Sequence, residues 1–396
     1  MSQLNMALIG AGRRGAGAHA PVIAKLKDVF NFVAVCDMDE ATAKSVAERY
    51  GARAYMSVRD LLKSEEIDVA DVVVPGDAHH AISWFLSENG VHHLVETPIA
   101  ATLPLADLMI ETAQKNRVKL EVAENYYRAP MEQFKSQVLA AGVIGKVSRL
   151  YRIFHEGGYH GMSLLRIRAG GHPTSVLGIA HTSEVTPLTD RMKRHHTQEH
   201  WTLGVVDFDN GVLATMIYSN VIHARSLGRG VGGVSQIDGT AGTVVGDDFY
   251  LVPPGELQTG AVAQAYTPQR VRFEQDGVQV LDRIEMQTPD GQFVWNNPFK
   301  RYALTEGQIA IADELMSLAR AVCEDREPDY GAAAGRLDQE MNLGMHESAT
   351  VNRQVVTFPL QSPTTYERQI HESFQQKYGC DARDVERLVD VFFPRL

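Results

Sequence analysis

A short apolar run, Met6-Ala7-Leu8-Ile9, ends in Gly10-Ala11-Gly12-Arg13-Arg14-Gly15, and a second apolar run, Phe32 to Cys36, closes on Asp37. No other feature restricts the fold as strongly. A glycine series between a strand and a helix allows a tight turn, a close approach of a pyrophosphate to the backbone, and close packing of the helix on the strand. The helix N-terminus then presents unbonded N–H groups and the positive end of its dipole to phosphate. An acid about 20 residues further on stands where ribose hydroxyls would be read. Gly10, Gly12, Gly15 and Asp37 are therefore expected to bind a dinucleotide. Asp37 favours NAD, because a carboxylate repels a 2′-phosphate; Arg13 and Arg14 leave NADP as the lesser alternative.

The stretches that follow alternate in kind. Glu40 to Tyr50 reads as a helix with Asp39 at its N-cap, Val69 to Val74 as a strand, and His80 to Asn89 as a helix stopped by Gly90. A strand at His93 to Glu96, a helix at Pro104 to Asn116 and a strand at Val118 to Ala123 complete the series. Such alternation predicts a parallel, doubly wound α/β sheet, a Rossmann domain over residues 1–125. Beyond it, Val147 to Phe154, Val205 to Asp209 and Val212 to Ser219 read as strands, with Asp209-Asn210-Gly211 as a hairpin turn. Residues 126–396 are thus expected to form an α+β domain with a large, mostly antiparallel sheet. Late helices are expected at Thr305 to Cys323, Gly335 to Ser348 and Ala382 to Phe392.

A chain of 396 residues exceeds one ordinary core, which agrees with two domains. The formal net charge of -11 argues against a nucleic-acid partner. Cys36, Cys323 and Cys380 are odd in number and far apart, so neither a disulfide framework nor a structural zinc site is expected. No basic stretch with an apolar run opens the chain, and no apolar segment has the length of a membrane span, so a cytoplasmic enzyme is the expectation.

The order of these motifs resembles the glucose-fructose oxidoreductase/inositol dehydrogenase (Gfo/Idh/MocA) family. The resemblance rests on Gly10 to Gly15, Val74-Pro75 with His79, Glu96-Thr97-Pro98, the Gly142 to Gly145 turn and Gly171-His172. It implies a sugar-like substrate and a homo-oligomer, dimer or tetramer. It also implies that Pro75, His79, Glu96, Thr97 and Asn125 stand near the cofactor, although His79 could equally cap the helix after Pro75. Two departures stand out. Thr97 replaces the lysine of the family's Glu-Lys-Pro motif. Arg168 stands four residues before His172, where the family has an aspartate.

Glu124-Asn125, the loop from Glu156 to His160, and His172-Pro173-Thr174-Ser175-Val176-Leu177-Gly178 are similar to the family's NAD-dependent glycosidase branch. That branch implies hydride abstraction by bound NAD, elimination of the aglycone and hydride return, with no metal. Net oxidation of a sugar or glycoside is the alternative, and a non-catalytic NAD(H)-binding regulator a third. Tyr159 is the expected base or acid, its pKa lowered beside a positive nicotinamide. His172, at an expected helix start, would take the hydroxyl proton, with His160 and His155 ranked lower. Arg166, Arg168 and Ser175 are expected at the substrate; the two arginines would bind an anionic group or form salt bridges to Glu156 or another acid. His155 to His160 departs from HExxH by one residue and two glycines, so no zinc protease site is expected. His195, His196 and His200 could meet a metal only with an acid that the sequence does not identify.

Overall fold

The computed structural model describes residues 3–154, 158–190, 193–229, 231 and 233–394. The first 122 residues build a six-stranded parallel sheet from β1 (Leu4–Ile9), β2 (Phe30–Cys36), β3 (Arg53–Tyr55), β4 (Val69–Val72), β5 (His92–Val95) and β6 (Leu120–Val122). The strand order is β3-β2-β1-β4-β5-β6, so the winding reverses between β1 and β4. A ligand crevice opens at such a reversal, outside the carboxyl ends of the strands. Both faces of the sheet are covered, and Met6, Ala7, Leu8, Val35 and Val72 are fully buried. That double burial is why these strands read as continuous apolar runs.

Helices α1 (Ala20–Lys25), α2 (Glu40–Tyr50), α3 (Val58–Ser64), α4 (His79–Glu88) and α5 (Leu103–Lys115) cover the sheet. The start and stop signals of α2 work as written in the sequence. Asp39 accepts from Thr42 N at 2.7 Å, and Gly51 takes the left-handed conformation at the C-cap. A wide π-helical turn, Gly15–His19, precedes α1.

Helix α6 (Pro130–Ala140) leads into the second sheet, whose strands are β7 (Val147–Ile153), then, after helix α7 (Tyr159–Ala169), β8 (Pro173–Thr189), β9 (His195–Phe208), β10 (Leu213–Ser219), β11 (Val234–Gly239), β12 (Gly242–Val245), β13 (Asp248–Leu251) and β14 (Gln264–Tyr266). A separate three-stranded sheet follows: β15 (Gln269–Gln275), β16 (Val278–Thr288) and β17 (Gly291–Asn296). Then come α8 (Glu306–Glu324), α9 (Ala332–Thr350), β18 (Val356–Thr357), α10 (Thr365–Tyr378) and α11 (Val385–Leu388). The second sheet is mostly antiparallel, ordered β14-β13-β12-β11-β7-β10-β9-β8-β18, with β7 and β10 parallel. The Asp209-Asn210-Gly211 turn joins β9 to β10. Helix α9 lies so close to the sheet that a Cβ on Gly178 would come within 1.8 Å of the Met345 carbonyl. The chain beyond Thr305 returns to the first sheet, α8 against β5 and α9 against β6.

Two local expectations are corrected. Pro173 opens strand β8, not a helix, and the burial pattern of β8 alternates as one face of a sheet does. The expected helix at Ala382 to Phe392 shrinks to Val385–Leu388, while α10 forms just before it behind a capping box of Thr364 and Glu367. Among the described residues, no helix is long and apolar enough to cross a membrane.

Candidate active site

The glycine turn forms the floor of the crevice. Gly10 has φ +95°, and a Cβ there would meet the Val73 carbonyl at 2.2 Å; a Cβ on Gly15 would meet the Gly10 carbonyl at 2.0 Å. Asp37 ties its strand end to this turn, Oδ2 accepting from Ala11 N at 2.7 Å and Oδ1 from Asp39 N at 3.0 Å. The carboxylate thus stands at the strand end where ribose hydroxyls would be read. Gly10, Gly12, Asp37 and Pro75 line a cleft of about 440 Å³. A second cleft of about 790 Å³ adjoins it and shares Arg13, Arg14, Val73 and Val74. Glu96, Thr97, Asn125 and His160 line the second cleft. Both the backbone cradle and the acid at the strand end thus fit a dinucleotide.

His79 lies beneath the junction. It is 1% exposed, with Nδ1 2.8 Å from the Pro98 carbonyl and Nε2 3.0 Å from the Val74 carbonyl. It fastens the end of β4 to the Thr97-Pro98 loop and is not among the residues lining either cleft. Burial holds its pKa below the ordinary imidazole value.

Glu96 is the head of a buried polar chain. Arg14 Nε donates to Glu96 Oε1 at 2.6 Å, His19 Nε2 lies 3.1 Å from the same oxygen, and His19 Nδ1 lies 2.8 Å from Asp71 Oδ2. The π-helical turn carries the His19 ring inward, where it is fully buried. Burial alone would lower the His19 pKa, but Asp71 and Glu96 overcome it and raise the pKa to about 10. Burial alone would raise the Glu96 carboxyl; His19 and Arg14 overcome it and hold Glu96 well below the usual carboxylate range. The carboxylate beside Thr97 therefore stays charged, fixed by two cations.

His160, in the first turn of α7, has Nδ1 2.9 Å from Oε2 of the fully buried Glu124. Glu124 Oε1 accepts from Tyr126 N at 2.9 Å, and the Tyr126 ring lies tilted against the His160 ring, with centroids 4.1 Å apart. The imidazole is thereby fixed in position and tautomer at the wall of the larger cleft. The resemblance marked Glu124 only as part of the Glu124-Asn125 pair and gave it no role. A glutamate just beyond the carboxyl end of a parallel strand is the signal that points to it.

The remaining expectations separate. Tyr159 is buried behind its neighbour His160, its hydroxyl 3.1 Å from that of Tyr330, which in turn donates to Asp338. Burial drives the Tyr159 pKa well above the ordinary phenol value, with Asp338 and Glu124 adding to it, opposite to the lowering expected. Arg166 is held in two contacts by Asp338, at 2.5 and 2.8 Å, and Arg168 pairs with Glu132 at 2.9 Å. Both arginines thus form salt bridges within the protein. His172 is exposed, its backbone N bonded to Asp209 Oδ1, and Ser175 donates to Asp207 Oδ2, both at 2.9 Å; neither is among the residues lining the clefts. Besides Arg13 and Arg14, the arginines that line the larger cleft are Arg152 and Arg270, which no motif indicated; Arg270 is braced by Glu306 at 3.0 Å and Asp247 at 3.3 Å. His155 and Glu156 lie outside the described residues. In the sequence, Glu156 stands four residues before His160, the spacing at which the family's aspartate precedes its histidine.

His195, His196 and His200 lie on strand β9, not on a helix, and His196 meets Asp190 at 3.1 Å. Among the described residues, no group of three or more metal-ligating side chains converges.

Comparison with known proteins fits this geometry. Residues 4–124 match the Gfo/Idh/MocA family model, described as an oxidoreductase family with an NAD-binding Rossmann fold. The D-glucoside 3-dehydrogenase of Escherichia coli is 31% identical over 148 residues, which is 37% of this chain and 42% of that protein. A glycosyl hydrolase family 109 protein of Shewanella putrefaciens is 27% identical over 157 residues, 37% of this chain and 34% of that protein. The chain therefore spans less than half the length of these relatives. In fold, a levoglucosan dehydrogenase in complex with NADH and levoglucosan superposes with a TM-score of 0.68 at 19% identity, covering 91% of this chain and all of that one.

Proposed function

From a chain whose residues 4–124 match the model of the Gfo/Idh/MocA oxidoreductase family with its NAD-binding Rossmann fold, we propose an NAD-dependent enzyme that oxidises a carbinol carbon of a sugar or glycoside. The observation that carries this is the His160–Glu124 pair on the wall of a cleft continuous with the glycine cradle. NAD, when bound, supplies the hydride acceptor; the protein supplies position and proton handling. His160 takes the hydroxyl proton through Nε2. Glu124 holds the opposite nitrogen and stabilises the imidazolium that forms. His160 thus fills the role that a lysine would otherwise share, which Thr97 cannot perform. Glu306, Asp247, Arg152 and Arg270 offer acceptors and donors to a polyhydroxylated ring, and the two arginines also accommodate an anionic substituent. Asp37 at the ribose end supports NAD over NADP.

The retained-cofactor glycosidase is the second reading, favoured by the likeness to the family 109 protein. Its elimination step needs a further base for the ring C–H proton. Tyr159, hydrogen-bonded to Tyr330 and buried, does not supply one. A cytoplasmic homo-oligomer belongs to the same proposal and rests on the resemblance; sedimentation of the purified protein tests the assembly.

A panel of sugars and aryl glycosides, followed by NADH absorbance and by aglycone release, separates the readings. NADH accumulating one-for-one with oxidised sugar supports net oxidation. Aglycone release without NADH, with solvent deuterium entering the ring, replaces it with the cycle. Tight NADH binding with neither product would make the protein a regulator.

A further inference from the structure

Three large apolar side chains that remain exposed, Met38 at 46%, Met56 at 44% and Phe392 at 62%, line the same cleft as Gly10 and Asp37. Two come from loops after β2 and β3. The third comes from far along the chain, in a segment that crosses back onto the first domain. That segment is firmly fastened. Arg59 of α3 holds Asp390 at 3.0 and 3.2 Å and donates to the Glu386 carbonyl at 2.8 Å. His80 Nε2 lies 2.7 Å from the Ala382 carbonyl. Phe393 is buried, its ring 4.9 Å from Tyr378 and 6.4 Å from Phe374. Phe392, its neighbour, is turned the other way and stays in solvent at the cleft wall.

We propose that Val389–Phe393 is a wall of the nucleotide site and that Phe392, with Met38, closes on the adenine ring. This rests on the dinucleotide reading above. A planar, weakly polar base suits the position: the cleft that holds the glycine turn and the Asp37 carboxylate also exposes three large apolar side chains. Burying an aromatic face against a base recovers the exposure that Phe392 otherwise leaves in water. The Rossmann domain alone would then hold phosphates and ribose, while the tail adds most of the grip on adenine and slows cofactor release.

Calorimetric titration of the full chain with AMP and NADH, and with reduced nicotinamide mononucleotide as the ligand lacking adenine, tests this. Phe392→Ala is expected to weaken AMP and NADH about tenfold and to leave the mononucleotide unchanged. Arg59→Asp should weaken AMP similarly by loosening the tail, and adding Asp390→Arg should restore it. Unchanged AMP affinity in Phe392→Ala, or equal weakening of all three ligands, overturns the proposal while leaving the dinucleotide reading standing. A parent chain that binds neither AMP nor NADH overturns both.

Discussion

The imidazole of His160 and the carboxylate of Glu124 meet at 2.9 Å, one at the start of helix α7 and the other just beyond the last strand of the first sheet. The proposed proton acceptor therefore depends on the packing of α7 against the end of β6. His160→Ala is expected to lower kcat by about 10²–10⁴-fold with NADH affinity unchanged. Glu124→Gln should cost about tenfold or more in kcat. Isothermal binding alongside steady-state kinetics separates the two effects, and a His160→Ala variant of full activity would end the assignment.

The Arg14–Glu96–His19–Asp71 chain makes stability depend on pH in a defined direction. The His19 pKa rises from an ordinary 6.5 to about 10 in the folded protein. Its contribution is complete below about pH 6.5 and is lost as pH rises through about 10. The parent should therefore lose thermal stability across that window more steeply than His19→Gln. The variant itself should be destabilised by about 3–5 kcal/mol at neutral pH, since it leaves buried carboxylates without their cation. Urea unfolding of both proteins at several pH values measures the difference.

Glu314 on α8 behaves oppositely. It is fully buried, and neither carboxylate oxygen has a hydrogen-bond partner. Burial drives its pKa well above the ordinary 4.5, so the fold favours the neutral form relative to the unfolded chain. Its cost to stability begins as pH rises past about 4.5 and grows towards the folded pKa. Glu314→Met is expected to stabilise the protein by about 1–3 kcal/mol at pH 7, with little gain at pH 4. Equilibrium unfolding at the two pH values checks both the gain and its disappearance.

Gly10→Ala combines a left-handed backbone with a clash at the Val73 carbonyl. It should cost about 1–3 kcal/mol of stability and abolish measurable NADH binding. Retention of NADH binding in a folded Gly10→Ala protein, followed by nucleotide fluorescence, would contradict the cradle.

The first sheet was legible because its signals are local: strands buried on both faces, Asp39 and Gly51 at the ends of one helix, glycines at the first turn. The chemistry on the other wall was not. His172-Pro173 carries a helix-start pattern, yet Thr174 to Ala180 alternates between faces and pairs along β9, and tertiary pairing overrides the local preference. The neighbouring Tyr159 and His160 illustrate the helical period, which sends adjacent side chains to different environments: one into the core, one into the cleft. Arg166 and Arg168 were visible as charges, but Asp338 and Glu132, which neutralise them, come from other helices that no spacing rule connects. Phe392 gave no local signal, because its meaning depends on Arg59, far away in sequence.

Helix α9 closes over β6, and a Cβ on Gly335 of that helix would stand 2.6 Å from Val122 Cγ2. On the ribosome, β6 is made long before α9, with strands β7 to β14 of the second sheet synthesised between them. The edge of the first sheet must therefore wait uncovered while that sheet emerges. A fragment cut after residue 125 would keep that apolar edge in water permanently, so this first part of the chain is expected to need the later chain in order to stay soluble.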